Sequence, residues 1–288
     1  MEIIKEYLVL CKFRVVVLML LSAVVGMLLA TPKINILLMV VSIIGIGCIC
    51  AAGGVCNQLF EIQIDEQMSR TKHRPLLSQN ITEQSAWIFV MLLIIIGVSL
   101  LVYHVNALTA GISVLGMIGY AWVYTCVLKH STPQNIVIGG FNGALPPLLG
   151  WTAMTGHLAP EALALVAIIY TWTPPHFWAL AISKKDDYAK ADIPMLPVTH
   201  GVEFTCQQIF LYTVLMILCT LLPILMWMSG AIYAVGVSYL NARFLMYVWK
   251  LWGNPNKVIA MDTFKYSIIY LMYLFLLLII DHFFKIPI

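Results

Sequence analysis

Residues 35–56 read NILLMVVSIIGIGCICAAGGVC, an apolar stretch without a charged side chain that runs directly into the polar segment NQLFEIQIDEQMSRTKHRP at 57–75. At a rise of about 1.5 Å per residue, about 20 such residues cross the hydrocarbon core of a bilayer as a helix. The stretch therefore predicts a transmembrane helix that ends in a charged loop.

Similar apolar runs fill most of the chain. Its 288 residues are 61% hydrophobic and 10% charged, whereas soluble domains are about 25% charged, and the mean hydropathy is +0.93. This composition excludes a soluble domain, a nucleic-acid binder and a disordered chain. We expect an all-α polytopic membrane protein with one domain over 1–288. Its nine predicted transmembrane helices lie near 14–31, 35–56, 86–104, 107–127, 137–155, 160–182, 209–229, 231–249 and 266–284.

The basic residues predict the orientation. With nine crossings, 14 of the 16 Lys and Arg residues fall on the side of the amino terminus, and only Lys33 and Lys285 fall on the other. Loops rich in Lys and Arg stay in the cytoplasm. We therefore expect a multi-pass protein of the cytoplasmic (inner) membrane, with its amino terminus in the cytoplasm and its carboxyl terminus outside.

The segment at 57–75 combines oxygen ligands with cations. Asn57, Glu61 and Asp65 are four residues apart, so on a continuing helix they would point to one side. Mg²⁺ binds to one or two carboxylates together with substrate phosphate oxygens. Three residues of the types that bind phosphate follow, namely Arg70, Lys72 and Arg74. The segment predicts a magnesium and phosphate site; a membrane-interface belt of paired acids and bases is the alternative.

A second charged loop at 183–208 carries Asp186, Asp187 and Asp192. Their spacing guarantees no helical column, and a solvated loop is the alternative. Four helices separate the two loops, which suggests two four-helix halves with a ninth helix appended. On that interpretation the second loop is a metal site facing the first. Two such sites with Mg²⁺ around one diphosphate would help it to leave.

Several motifs extend the pattern over the central chain. They are N-x-x-x-E-x-x-x-D-x-x-M-x-R-T-x-x-R-P at 57–75, Y-T-x-x-L-K at 124–129, N-I-V-I-G-G at 135–140, G-A-L-P-P-L-L-G-W at 143–151, T-P-P-H-F-W-A-L-A-I at 173–182, D-D-Y at 186–188 and I-P-M-L-P-V at 193–198. In order and spacing the chain resembles the UbiA-type intramembrane prenyltransferases, and among them the branch that farnesylates haem. Glu61 stands where many members carry Asp, and the second acidic motif is irregular.

The resemblance implies a nine-helix bundle around a central cavity. There a farnesyl group would pass from farnesyl diphosphate to the 2-vinyl group of protohaem IX (haem b), and water would add to give haem O and diphosphate. Mg²⁺ is the implied cofactor. Its implied ligands are Asn57, Glu61 and Asp65 with one or more of Asp186, Asp187 and Asp192.

The resemblance also implies residues for the rest of the substrate. The diphosphate would be neutralised by Arg70, Arg74 and Lys129, with Lys72, Lys184 and Lys185 as further candidates. The ring faces of Tyr120, Tyr124, Trp172 and Trp178 are candidates for holding the allylic cation. For each of these rings, packing or a place in the interfacial belt is the alternative.

Among seven histidines, only His176 lies well within an apolar helix on the predicted cytoplasmic half. It follows Pro174 and Pro175, which remove backbone donors and can open space for a ring. It precedes Lys184 by eight residues, roughly 12 Å along a helix. The resemblance implies that it positions haem or serves the addition of water, while a hydrogen-bonded structural histidine is the alternative.

The implied partners are farnesyl diphosphate, haem b and the lipid bilayer, with haem O passing to a haem O-oxidising enzyme or a terminal oxidase assembly. The net charge of +3 is too small to indicate nucleic acid. Two other functions stay open. One is a UbiA-type prenyltransferase acting on a quinone or tetrapyrrole precursor. The other is a transporter. Broken helices are typical of transporters, but here the polar residues cluster at one face of the membrane, which argues against transport.

Overall fold

The computed structural model describes residues 2–62, 66 and 74–287, and every regular element in them is helical. In chain order the helices are α1 (Glu2–Leu10), α2 (Phe13–Ala30), α3 (Ile36–Phe60), α4 (Glu83–His104), α5 (Ala107–Ser131), α6 (Asn135–Ala144), α7 (Pro146–Thr155), α8 (Pro160–Ser183), α9 (Lys185–Lys190), α10 (Leu196–Thr199), α11 (Val202–Cys219), α12 (Leu222–Leu225), α13 (Ala231–Gly253) and α14 (Lys257–Phe283).

Eight spans in the described part of the chain are long and apolar enough to cross a membrane. They are α2, α3, α4, α5, α8, α11 with α12, α13 and α14. The all-α membrane class is therefore confirmed. The predicted helix 137–155 is instead the pair α6 and α7, each of 10 residues. Pro146 and Pro147 occupy the first turn of α7, where a missing N–H breaks no intrahelical hydrogen bond.

Several helices begin earlier than their apolar runs, because polar caps start them. The Thr82 side chain accepts a hydrogen bond from the Ser85 N–H at 3.2 Å and so starts α4. The Asn256 side chain accepts from the N–H groups of Val258 and Ile259, which starts α14 nine residues before the predicted position. Such caps satisfy backbone donors that have no partner within the helix.

The chain forms two compact units, and the first comprises Met1–Ser131, Leu145–Leu158 and Lys190–Ile193. Within it, α7 lies along α2 and α3 lies along α4. A Cβ atom at Gly26 would collide with the backbone of Pro147, and one at Gly150 with the backbone of Ala23. Glycine therefore lets α2 and α7 approach closely, as small residues do at helix interfaces in membranes.

The second unit comprises Thr132–Ala144, Ala159–Ala189 and Pro194–Ile288. In it α8 packs against α6, α11 and α14, while α13 pairs with α14. Buried Asn241 of α13 joins α14 to the residue that follows α11, because it accepts from the Tyr270 hydroxyl at 2.6 Å and donates to Thr220 Oγ1 at 2.9 Å.

Each unit thus has four of the long spans and one member of the short pair. The suggested division into helices 1–4 and 5–8 with an appended ninth needs correction, because α14 packs inside the second unit.

Candidate functional site

The end of α3 presents two buried side chains with oxygen ligands. Asn57 is 2% exposed and Glu61 is 3% exposed. The Glu61 N–H donates to the Asn57 carbonyl at 3.2 Å, so the two residues are one helical turn apart. The predicted helical column therefore extends to Glu61. Asp65, the third member of the predicted column, and the predicted phosphate-binding residues Arg70 and Lys72 lie outside the described residues.

Each of these two oxygen ligands faces a lysine. The Lys129 ammonium donates to Glu61 Oε1 at 2.5 Å. The Lys12 ammonium donates to Asn57 Oδ1, and it also donates to the Tyr120 hydroxyl at 3.1 Å. Bonds of this charge-assisted kind are stronger than neutral hydrogen bonds. Two buried oxygens thus already attract cations.

A single hydroxyl fixes the orientation of the Asn57 amide. Thr125 Oγ1 donates its hydrogen to the Tyr120 carbonyl at 2.9 Å, so towards Asn57 it can only accept. Asn57 Nδ2 donates to it, also at 2.9 Å. The amide nitrogen is therefore directed to Thr125, and Oδ1 is left for Lys12 or another cation.

The helix that carries Tyr120, Thr125 and Lys129 is not α-helical throughout. Gly119–Leu128 within α5 is a π-helix, which has hydrogen bonds between residues five apart. In an ordinary α-helix, residues five apart are about 140° apart around the axis. The wider turn lets Thr125 reach the Tyr120 carbonyl, so both residues serve the same site.

The backbone between α1 and α2 positions Lys12. Lys12 has a left-handed conformation, with φ 53° and ψ 46°, which is uncommon for a residue with a side chain. Gln58 Nε2 donates to the carbonyls of Val9 and Leu10 at 3.1 and 2.9 Å. A Cβ atom at Gly54 would press against the Cys11 carbonyl at 2.8 Å. Glycine and glutamine of α3 thus anchor the segment that carries Lys12.

The second charged loop is more exposed. Asp186 accepts from the Lys257 ammonium at 2.6 Å, and both side chains are more than half exposed. Asp187 forms a looser ion pair with Lys184 at 4.0 Å. Asp192 is exposed, has a φ of 49°, and belongs to the first unit, whereas Asp186 and Asp187 belong to the second. Exposed ion pairs of this type contribute little stability.

His176 lies in an aromatic stack within the second unit. Its ring stacks on Trp172 at 4.3 Å and on Phe264 at 4.6 Å between centroids. Its Nδ1 lies 2.6 Å from Ser267 Oγ, which donates to the Phe264 carbonyl. Both bonds form together only if Nδ1 carries the proton, and this tautomer leaves a lone pair on Nε2. The helix α8 continues through Pro174 and Pro175.

The aromatic candidates differ in position. Tyr124 stacks on Tyr120 at 5.9 Å, and the Tyr120 hydroxyl contacts Lys12, so both rings lie beside the Asn57 site. Trp172 donates from Nε1 to the Ser267 carbonyl at 2.9 Å. Trp178 is 1% exposed and meets Tyr212 edge to face, which favours a packing role.

Lys185, a further predicted diphosphate-binding residue, lies in the first turn of α9.

Sequence reasoning missed several residues of these sites. In the sequence, Lys12 is one of the cations that predict the orientation, and Thr125 and Ser267 resemble ordinary hydroxyl residues of apolar helices. Their contacts join residues 45, 68 and 91 positions apart. No local pattern signals such contacts, although a lysine so close to an apolar run was a usable hint.

Comparisons with known proteins show similarity to one family along nearly the whole chain. The family model described as UbiA prenyltransferase family matches residues 19–278. A protoheme IX farnesyltransferase from Legionella pneumophila (strain Paris) is 50% identical over 97% of this chain and 96% of its own length. One from Idiomarina loihiensis is 51% identical over 97% of this chain and 94% of its own length.

Two solved structures share the fold. A digeranylgeranylglyceryl phosphate synthase structure has a TM-score of 0.84 at 23% identity, covering 98% of this chain and 99% of its own. A UbiA homologue from Archaeoglobus fulgidus, bound to DMAPP and Mg²⁺, has a TM-score of 0.72 at 17% identity, covering 95% and 99%. At these identities the likeness concerns the fold alone.

Proposed function

Since the chain belongs to the UbiA prenyltransferase family, we propose that it transfers the farnesyl group of farnesyl diphosphate to the 2-vinyl group of haem b. Water adds in the same reaction, and haem O and diphosphate are released. The proposal is supported by relatives named protoheme IX farnesyltransferase that are about half identical over nearly the whole chain. The observation that carries it is the pair of buried oxygens, Asn57 and Glu61, each contacted by a lysine.

This pair fits a Mg²⁺ ion shared with a diphosphate. The two oxygen atoms that would bind the metal are buried, lie one helical turn apart and already contact lysine ammonium groups. Two protein oxygens suit Mg²⁺, which takes much of its coordination from substrate phosphate and water. Asn57, Glu61 and, from sequence, Asp65 would hold the ion, which supplies positive charge at the leaving diphosphate.

The chain's own cations complete the leaving-group site. Lys129 contacts Glu61, and together with Arg74 it would bind diphosphate oxygens as the bond between C1 of farnesyl and oxygen breaks. The electron pair leaves with diphosphate. The vinyl π electrons then attack the allylic cation at C1. Water adds to the resulting cation and loses a proton. Apolar helices keep bulk water from the first cation, and Tyr120 and Tyr124 would face it.

The remaining sequence-based roles belong to the same proposal. One or more of Asp186, Asp187 and Asp192 would add metal ligands. Arg70 would bind diphosphate oxygens, and further positive charge would come from Lys72, Lys184 and Lys185. His176 would orient haem through Nε2, because Ser267 occupies its Nδ1. We place the protein in the cytoplasmic (inner) membrane, with its amino terminus inside. We infer that haem O passes on to a haem O-oxidising enzyme or a terminal oxidase assembly.

The test is a product assay with purified protein in detergent, supplied with farnesyl diphosphate, haem b and Mg²⁺. We expect a haem whose mass rises by one farnesyl group and one hydroxyl group, detected by chromatography and mass spectrometry. Glu61→Gln should lose at least ~100-fold in rate, since it removes a ligand charge. Glu83→Gln, an exposed carboxylate in the first turn of α4, is the matched control. Prenylation of a quinone precursor with no haem product would overturn the choice of acceptor.

A further inference from the structure

The Lys12 ammonium lies against the Asn57 oxygen that would bind the metal ion. It is held there by the left-handed backbone of Lys12 and by the two bonds of Gln58 to the end of α1. The side chain is partly buried and contacts both Asn57 Oδ1 and the Tyr120 hydroxyl. The contact with Asn57 is therefore determined by the structure around it and does not depend on a freely moving surface lysine.

Asn57 cannot avoid this contact by turning its amide over. A flip would direct Nδ2 at the Lys12 ammonium and Oδ1 at Thr125 Oγ1, whose hydrogen is already donated to Tyr120. Both new contacts would lack a matching donor and acceptor. The Asn57 oxygen therefore stays directed at the Lys12 ammonium.

A divalent cation and this ammonium would compete for that oxygen. Like charges at contact distance repel strongly at a partly buried site, where the effective dielectric constant is below that of water. Glu61 is similarly paired with Lys129. A metal ion arriving alone would therefore have to displace two lysines. A diphosphate gives these ammonium groups new anionic oxygens, which removes the competition.

We propose that Lys12 keeps the Asn57 oxygen from binding a metal ion until a diphosphate is present. When diphosphate binds, the Lys12 ammonium transfers its contact to a phosphate oxygen and releases Asn57 Oδ1 to the metal. Metal and diphosphate therefore bind together, and neither binds tightly alone. This inference rests on the proposed function, because it uses the same site.

The test measures Mn²⁺ affinity of the full-length purified protein by electron paramagnetic resonance, with and without inorganic diphosphate. In the unaltered protein we expect diphosphate to tighten Mn²⁺ binding at least ~10-fold. Lys12→Met should bind Mn²⁺ alone about 10-fold more tightly, and most of the coupling to diphosphate should disappear. Lys12→Arg keeps the cation and should keep the coupling. Lys5→Met removes an exposed lysine of α1 and should behave like the unaltered protein.

Lys12→Gln separates charge from folding, because it removes the cation but keeps a hydrogen-bond donor. It should behave like Lys12→Met, and it replaces that variant if Lys12→Met does not fold. Coupling that stays intact in the neutral variants overturns the role of Lys12 while leaving the diphosphate site in place. If diphosphate does not tighten Mn²⁺ binding in the unaltered protein, the proposal for Lys12 is wrong, and the haem product assay decides separately whether the proposed function stands.

Discussion

At the scale of single residues, the hydrogen of one hydroxyl group decides which atom of Asn57 is available as a ligand. Thr125 has one hydrogen to donate, and the π-helical turn directs it to the Tyr120 carbonyl. Asn57 must then use its nitrogen on Thr125 and leave its oxygen for a cation. Residues that orient ligands in this way influence metal affinity without touching the metal.

Replacing Thr125 tests this orientation. Thr125→Val has nearly the same volume but no acceptor for Asn57 Nδ2, so we expect turnover and Mn²⁺ affinity with diphosphate to fall ~10-fold to 100-fold. Thr125→Ser keeps the hydroxyl and should retain most of both. Equal activity of the valine and serine variants would mean that Thr125 only fills space.

Variants of His176 and Arg74 should each lose the binding of a different substrate. His176→Ala should lose haem binding and haem O formation while it still binds farnesyl diphosphate, because Ser267 and two rings hold the imidazole in place. Arg74→Ala should do the reverse, because a guanidinium recognises phosphate oxygens. Titrations of both ligands into the purified variants provide the measurement.

The control for these titrations is His104→Ala, which removes an exposed histidine in the last turn of α4. If His176→Ala binds haem and turns over normally, the residue is structural and haem binds elsewhere.

At the scale of helices, a buried carboxylate connects the ends of α13 and α14. Asp281 is fully buried and accepts hydrogen bonds from the N–H groups of Gly230 at 2.5 Å and Tyr233 at 3.0 Å. These donors belong to the start of α13, where backbone N–H groups have no partner within the helix. A carboxylate there also interacts favourably with the helix dipole.

Asp281→Ala should therefore lower the free energy of unfolding by ~2–4 kcal/mol, because it leaves two buried donors without an acceptor. The midpoint of thermal unfolding in detergent, followed by circular dichroism, measures this. Asp262→Ala, on the exposed side of the same helix, is the control and should change the midpoint little. Similar midpoints for the two variants would contradict a structural role for Asp281.

The stability of the protein should also depend on the close packing of α2 on α7. Gly150→Ala places a methyl group against the Ala23 backbone, and since a backbone cannot rotate away, we expect a loss of ~1–3 kcal/mol. Gly143→Ala in α6 meets nothing within 4 Å, so it should be neutral or slightly stabilising. The same unfolding measurement compares the two, and a neutral Gly150→Ala would mean that α7 shifts freely on α2.

At the scale of the whole molecule, the number of membrane crossings decides the side on which the chain ends. Eight crossings would leave both termini on one side, and nine would separate them. The long helices number eight in the described residues, and α6 and α7 are the remaining candidates. The strong excess of cations on one predicted side favours nine.

A reporter enzyme that is active only outside the cytoplasm provides the measurement. Fused after Ile288 it should be active, and fused before Met1 it should be inactive. If the reporter at the carboxyl end is inactive, the chain crosses the membrane one time fewer than predicted. Every loop after the missing crossing then lies on the side opposite to the predicted one.

The amino-acid sequence by itself determined the class of the protein, most of its transmembrane helices and the spacing of Asn57 and Glu61. These are local properties: an apolar run must exceed the bilayer thickness, and residues four apart on a helix share a side. For the same reason the sequence could not place the starts of α4 and α14, where polar caps extend the helix past the apolar run.

The tertiary structure alone decided which cation meets which oxygen. Lys12, Thr125 and Lys129 reach the end of α3 from 45 to 68 positions away, through a bend at Lys12 and a π-helical turn in α5. It also divided the predicted helix 137–155 between two packing units. Such outcomes depend on how closely distant backbones can approach, which glycines such as Gly54 and Gly150 permit and no local pattern encodes.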